Sequence, residues 1–413
     1  MNKQPRAIVL GGTSPHISLI ERLQKRGYFT ILLDYYENPP AKAAADKHIQ
    51  ESTLDEEKVL TVAKEEAADL VISACVDQAN VTACYVGEKL GLPIPYSYRT
   101  ALEVTDKGLM KEKMVKNRIP TARHFYLNRE SAIGDMDLTY PVMVKPADAC
   151  GSAGVKKVLH PEELQGHLEN ALTVSRGNKA VVEEYKEGTE ISIYSFIKNK
   201  KTHIVMATER FSITDGPEEV LKCYATLAPA TLTKATEEKL ITIIDKIVES
   251  FGIDNTALHV QAFIDGEDIN IIEFAPRVGG GVSYQTILQN TGFDIIEATI
   301  DSYLGNEVSL DYTLPKEYYA VNIIYGHPGV FDHIVGQQQL LEDKVIEEFF
   351  QYKSPGMAIG SDKASSGRVG SFIVKARSKE ELLEKTRIAM ETFEVYDAKQ
   401  TPLMRKDLFL QDL

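Results

Sequence analysis

Cysteine is scarce in this chain of 413 residues: there are four, at positions 75, 84, 150 and 223, with no CxxC spacing and no histidine pair beside them. That distribution argues against a disulfide framework or a zinc site and leaves free thiols as the reading. A basic excess is also missing. The net charge is −14, and a surface that grips a phosphate backbone needs to be positive. No segment approaches the roughly 18 uncharged apolar residues that span a bilayer, and the apolar run before Gly11 is too short for a signal sequence. These absences lead to the expectation of a cytoplasmic protein without nucleic-acid or membrane partners. Internal repeats and low-complexity tracts are lacking as well. The length predicts two or three lobes around a substantial core, and a hydrophobic content of 43% with 26% charged residues suits an ordinary globular chain.

What is present begins with alternation. RAIVL (Arg6 to Leu10), TILLD (Thr30 to Asp34) and DLVISA (Asp69 to Ala74) read as short strands. Ser14 to Arg26 and Glu56 to Ala67 carry helical apolar spacing. Alternating strands and helices imply a parallel, doubly wound sheet. LGGTSPHIS after the first strand lacks GxGxxG, and Pro15 is placed to open a helix, so a dinucleotide site is not expected there. LGLPIP (Leu90 to Pro95) reads as a boundary. Beyond it, helices are expected over Ser97 to Val104 and Asp106 to Asn117. Strands flank a turn at Gly188 and a hairpin at Asp265-Gly266. Ile191, Ile193, Ser195 and Ile197 are spaced by two, as on one face of a strand. Antiparallel pairs after a parallel lobe predict α/β followed by α+β. From about Tyr312 a third segment closes on a strand and a helix.

Two stretches carry the chemistry. YPVMVKPADACGSAGVKKV sets Lys145 at the end of an apolar strand, ahead of a small-residue loop from Ala149 to Val155. HVQAFIDGEDINIIEFAPRVGGGVSY sets Glu273 at the end of another strand, ahead of Arg277 and three glycines. A compact cation, a loop whose backbone N–H groups can approach phosphate oxygens, and a hard carboxylate describe a site for a polyphosphate and Mg²⁺. Cys150 falls in that loop, where a small residue filling a tight turn is the simpler reading. No Ser-His-Asp or Cys-His constellation supports a protein nucleophile.

The order DKGLMKEKMVKNRIPTARHF, YPVMVKPADACGSAGVKKV, VVEEYKEGTEISIY, HVQAFIDGEDINIIEFAPR resembles the ATP-grasp superfamily of carboxylate–amine and carboxylate–thiol ligases, through nearly the whole chain. Within it, carbamoyl-phosphate-synthase-like chains and amino-acid ligases look most similar. The resemblance implies a Rossmann-like lobe over 1–104 and an ATP-grasp nucleotide region over 105–311 with a mobile lid at about 121–185. A lobe over 312–413 completes the fold. It implies that Lys107 and Lys145 hold the nucleotide phosphates beneath a loop containing Ser152, Ala153 and Gly154. The adenine would meet the segment of Glu183, Glu184, Tyr185 and Lys186, and Glu190 would take the ribose hydroxyls. Mg²⁺ or Mn²⁺ would fall to Gln261 and Glu273, where the family usually has two carboxylates and an asparagine; Ala275 stands in the third place. Arg277 would bind the acceptor carboxylate and the transferred phosphoryl group, with Arg210 and Arg368 as further anion contacts. His259, two residues from Gln261 on the same strand face, reads as a hydrogen-bonded core residue, with assistance to the metal position as the alternative. The activity implied is ATP-dependent formation of an acyl phosphate captured by an amine. Bicarbonate activation is the alternative, and a nucleotide-binding protein without catalysis, suggested by Gln261 and Ala275, is the third reading. The acceptor pocket is expected between Gly11 to His16, Ala74 to Asn80, Arg277 and the C-terminal segment. A homodimer is the default expectation for a soluble enzyme.

Overall fold

The computed structural model describes residues 3–131, 136–149, 151, 153–213, 222–315, 317–360 and 366–411. Its first lobe is a parallel sheet of β1 (Arg6–Leu10), β2 (Phe29–Asp34), β3 (Lys47–Gln50) and β4 (Leu70–Ile72), in the order β3-β2-β1-β4. Ala7 to Leu10 are fully buried, as a strand covered on both faces must be. The cover is α1 (Ser14–Lys25), α2 (Glu56–Glu65) and α3 (Asp77–Leu90). Asp55 caps α2 by accepting the Lys58 N–H, and Gly91 ends α3 in a left-handed conformation. Sequence periodicity announced β1, β2 and β4. It did not announce β3, whose KHIQ is short, polar and at the sheet edge.

α4 (Tyr98–Thr105) and α5 (Lys107–Lys116) meet at Asp106. The Asp106 carboxylate caps α5 by accepting the N–H groups of Gly108 and Leu109, and it also accepts the Tyr126 hydroxyl at 2.6 Å. A small antiparallel sheet follows, in the order β5-β8-β6-β7: β5 (His124–Asn128), β6 (Val142–Pro146), β7 (Lys156–Val158) and β8 (Lys179–Glu184). It is backed by α6 (Leu164–Val174).

The third sheet is antiparallel throughout and organises the rest of the chain. Its members begin with β9 (Thr189–Lys198), β10 (Lys201–Ile213), β11 (Lys222–Ala228), β12 (Thr256–Asp265) and β13 (Asp268–Ala275). α7 (Lys234–Phe251) packs on one face, while α8 (Ser283–Thr291) and α9 (Ile295–Leu304) pack on the other. After them come β14 (Tyr318–Tyr325), β15 (Gly329–Val330), β16 (His333–Val335), α10 (Gln337–Glu342), β17 (Glu348–Gln351) and β18 (Ala358–Ile359). β19 (Arg368–Ala376), α11 (Lys379–Thr392) and β20 (Glu394–Tyr396) close the fold. The strand order β13-β12-β9-β10-β11-β14-β19-β17 makes the C-terminal strands an extension of the same sheet.

The period-two pattern of β9 tells half of its environment. Ile191, Ile193 and Ile197 pack under α7 as the spacing predicts. The alternate residues Ser192, Tyr194 and Phe196 are buried too, because α8, α9 and the first lobe cover that face. Arg22 on α1 forks onto Asp294 at 2.7–3.0 Å, and Arg26 pairs with Glu297 and Asp301 of α9, each at 2.7 Å, so the first lobe is pinned to this layer. No helix among the described residues is long and apolar enough to cross a membrane. Phe196→Ala, at the centre of this double-sided packing, is expected to lower unfolding free energy by about 3–5 kcal/mol in urea titration. A loss under 1 kcal/mol would show that the two layers do not share a core.

Candidate functional site

Between the small sheet, the large sheet and α3 lies one cavity of about 430 Å³. Seven lysine and arginine side chains line it against five carboxylates, which reverses the sign of the chain as a whole. Lys107 reaches it because α5 begins there. Its Nζ donates to Ala149 O at 2.7 Å and lies 3.6 Å from Glu273 Oε2. One turn later Lys111, 1% exposed, donates to Thr121 Oγ1 at 2.8 Å and sits 2.7 Å from Glu183 Oε2. Lys145, at the end of β6, bonds Glu183 Oε1 from the other side. One buried carboxylate thus holds two buried ammonium groups. Burial alone would push the Glu183 carboxyl up, but Lys111 and Lys145 override it and hold it at about 2. The two lysines diverge: burial and the neighbouring Lys145 charge push Lys111 down, whereas Glu183 outweighs burial and raises Lys145.

The link from β8 to β9 forms the next wall. Glu184, Tyr185 and Lys186 line the cavity; the Glu184 N–H donates to Arg123 O and the Tyr185 N–H to Pro141 O, both at 3.0 Å. Gly188 has φ +121°, and a Cβ there would come within 2.5 Å of Ile264 O, so only glycine makes this turn. Glu190 Oε1 accepts Arg210 Nε at 2.7 Å and Gln261 Nε2 at 3.2 Å. Gln261 stands opposite Glu273 in the register of β12 and β13. Since its amide nitrogen is spent on Glu190, its oxygen is the atom left to ligate a metal. Among the described residues no three His, Cys, Asp or Glu side chains assemble into a metal cluster.

Arg277 lies at the junction with the first lobe. Nε and Nη2 fork onto Asp77 at 2.7 and 3.0 Å, and Nη1 donates to Val278 O at 2.9 Å. Burial would raise the Asp77 carboxyl, and the guanidinium instead holds it below the usual range. His259, stacked on Tyr194, is pushed well below its ordinary value by burial and by the Arg277 and Arg210 charges. Arg210 and Arg368 also reach the cavity, where Arg368 Nε donates to the Tyr325 hydroxyl at 3.0 Å.

The structure therefore brings Lys107, Lys145, Glu183, Glu184, Tyr185, Lys186, Glu190, Gln261, Glu273 and Arg277 to one cavity. In the small-residue loop, Ala149, Gly151 and Val155 line it, while Ala153 and Gly154 stand back from it. Gly154 is left-handed (φ +70°), and a Cβ there would come within 2.8 Å of Pro146. Ser152 and Cys150 lie outside the described residues. Cys75, Val76 and Asp77 supply the first lobe's share of the lining, whereas the Gly11 to His16 loop folds onto its own buried His16. Sequence reasoning passed over Lys111. Its signal was position: four residues after Lys107 on one helix places both ammonium groups on the same face.

Residues 138–286 match the family model for an ATP-grasp domain. A formate-dependent phosphoribosylglycinamide formyltransferase of Sulfurisphaera tokodaii is 23% identical over 277 residues, 65% of this chain and 68% of that protein. A carbamoyl phosphate synthase large chain of Clostridium acetobutylicum is 23% identical over 73% of this chain, but the match spans only 29% of that longer protein. Among solved structures, an L-amino acid ligase from Bacillus licheniformis superimposes with a TM-score of 0.80 at 19% identity, covering 96% of this chain and 100% of that one. The fold is thus ATP-grasp, preceded by a parallel α/β lobe.

Glu183→Gln is expected to cost on the order of 3 kcal/mol at neutral pH, since two buried ammonium groups lose their carboxylate. Glu183 has a folded-state value near 2 against an ordinary 4.5, so its contribution is complete above about pH 5 and is lost as pH falls through that interval. Urea unfolding from pH 8 to pH 4 should show a constant gap between wild type and variant that begins to narrow below 4.5. A gap independent of pH would refute the ionised triad.

Proposed function

We propose that the protein is an ATP-dependent ligase that converts a carboxylate to an acyl phosphate and passes the acyl group to an amine. The observation carrying this reading is the convergence of Lys107, Lys111 and Lys145 with Glu273, Gln261 and Arg277 on one cavity. Such chemistry needs positioning and charge stabilisation rather than a protein nucleophile. The substrate carboxylate attacks the γ-phosphorus and the bond to the β-phosphate oxygen breaks, giving RCO–OPO₃²⁻ and ADP. The amine then adds to the carbonyl carbon, the C–O bond to phosphate breaks, and RCO–NHR′ and HPO₄²⁻ leave, the phosphate carrying the amine's proton. Lys107, Lys111 and Lys145 hold phosphate oxygens, Arg277 faces the acceptor side, and residues 121–185 act as the lid that excludes water.

The donor set suits a hard cation in the company of a nucleotide. Glu273 and the Gln261 amide oxygen would hold Mg²⁺ or Mn²⁺, which supplies charge neutralisation to the phosphates when bound; the remaining ligands are phosphate oxygens and water. A carboxylate larger than bicarbonate is favoured by the opposite wall, where Met206, Val321, Ile323 and Tyr352 offer apolar surface that bicarbonate cannot use.

The test is phosphate release from MgATP against pooled amino acids, small carboxylates and bicarbonate. Acceptor-dependent release is expected, with kcat reduced about 10²-fold or more in Lys145→Ala, the scale of a lost charge-stabilising donor. Near-normal turnover in that variant would remove Lys145 from the site. Release driven by bicarbonate alone would replace the substrate class.

A further inference from the structure

His259 has a feature that the scheme above leaves unused. The residue lines the cavity at 9% exposure, and its ring lies on Tyr194 with centroids 5.0 Å apart and planes 20° from parallel. Nδ1 is 3.5 Å from Arg277 Nη1, and Nε2 is buried without a hydrogen-bond partner among the described residues. A guanidinium nitrogen can only donate, so Nδ1 turns its lone pair toward Arg277 and the ring hydrogen resides on Nε2. The result is a buried N–H on a cavity-lining residue with no acceptor among the described residues, an arrangement that costs about 1–3 kcal/mol when left unsatisfied.

The surroundings say what would satisfy it. Gly279, two residues after Arg277, runs so close to Tyr194 that a Cβ would come within 2.4 Å of the ring, and within 2.8 Å of Ser283 Oγ. Ser283 opens α8, lines the same cavity, and its hydroxyl is also buried without a partner among the described residues. Tyr194 thus carries His259 on its ring and meets the glycine loop at its edge. The charged groups nearest this corner are Arg277, already forked onto Asp77, and Arg210, whose Nε donates to Glu190. Unmatched donors gathered beside a guanidinium call for an anionic oxygen. The corner is on the Arg277 side, while Lys107, Lys111 and Lys145 hold the nucleotide side, so that oxygen belongs to the acceptor carboxylate rather than to ATP.

We infer that His259 is a catalytic residue whose Nε2–H donates to an oxygen of the substrate carboxylate and keeps hold of it as the acyl carbonyl becomes an oxyanion. The inference rests on the ligase reading. A neutral imidazole used this way acts as an electrophile and takes up no proton, so the stoichiometry above is unchanged. Donors preplaced where charge develops are worth about 10²–10³ in rate.

Two variants separate this role from packing. His259→Phe keeps a ring against Tyr194 and removes the donor, while His259→Gln places an amide N–H near the Nε2 position. With the carboxylate and amine identified by the phosphate-release panel, His259→Phe is expected to lower kcat 10²–10³-fold with MgADP affinity unchanged, and His259→Gln to recover at least tenfold. Normal kcat in His259→Phe, or equal losses in both variants, would overturn the role. A second measurement stands even if the panel finds no turnover and the ligase reading falls. Long-range ¹H–¹⁵N spectra of ¹⁵N-histidine protein, with His259 assigned by its absence in His259→Gln, should show the Nε2–H tautomer. That proton should shift when acetate, as a carboxylate probe, is added to the MgADP complex. An Nδ1–H pattern, or an Nε2–H signal indifferent to the carboxylate, would overturn the inference independently.

Discussion

Everything in this site depends on burying positive charge before its partner arrives. A cavity built for a polyphosphate must hold cations in a place that water barely reaches, and each buried cation without a counter-charge costs several kcal/mol. The fold meets that constraint by setting an internal carboxylate beside each of five cavity cations. Glu183 serves both Lys111 and Lys145, Glu190 serves Arg210, Asp77 serves Arg277, and Glu273 lies within reach of Lys107. The arrangement fixes the cations in place at low reorganisation cost, which is the preorganisation that electrostatic catalysis requires.

The Asp77–Arg277 fork also explains why the parallel lobe is attached. Asp77 is the first residue of α3, directly after the end of the first lobe's sheet, and Arg277 ends the hairpin of the large sheet. The Arg277 side of the cavity therefore exists only when the two units are docked. The Arg22 and Arg26 pairs to α9 and the Tyr303 hydroxyl on Asn80 at 2.7 Å hold that docking from outside the cavity. Ion pairs near the surface are individually weak. Their value lies in registering a lobe whose Asp77 must meet Arg277 within hydrogen-bond distance.

How much of this could be read in advance follows from range. The parallel start, the hairpin at Gly266, Lys145, Glu273 and Arg277 were legible because each is a local pattern: an apolar strand ending in one chemical residue. Lys111 was not, because within its helix it resembles any surface lysine; only the small sheet folding over it, with Glu183 opposite, makes it a site residue. His259 read as an ordinary core histidine for the same reason, since its tautomer is set by Arg277, eighteen residues on. The second buried face of β9 was hidden because Ser192 breaks the hydrophobic run, although α8 and the first lobe cover it.

Gln261 looked like a defect in a metal site, and the geometry gives it a reason. Its amide nitrogen donates to the Glu190 oxygen that also accepts Arg210, while Glu273 stands across the strand pair. A carboxylate at 261 would forfeit that hydrogen bond and add a third negative charge between Glu190 and Glu273. At an effective dielectric of about 20 and a separation of about 4 Å, each like-charge pair costs about 4 kcal/mol before any metal binds. Two acidic neighbours would also compete with phosphate oxygens for the cation that joins enzyme to nucleotide. On the proposed reading an amide would keep an oxygen available to the metal and a donor for Glu190, and the metal site would stay incomplete until a nucleotide brought the missing ligands. In that arrangement cation binding and nucleotide binding would become one event rather than two.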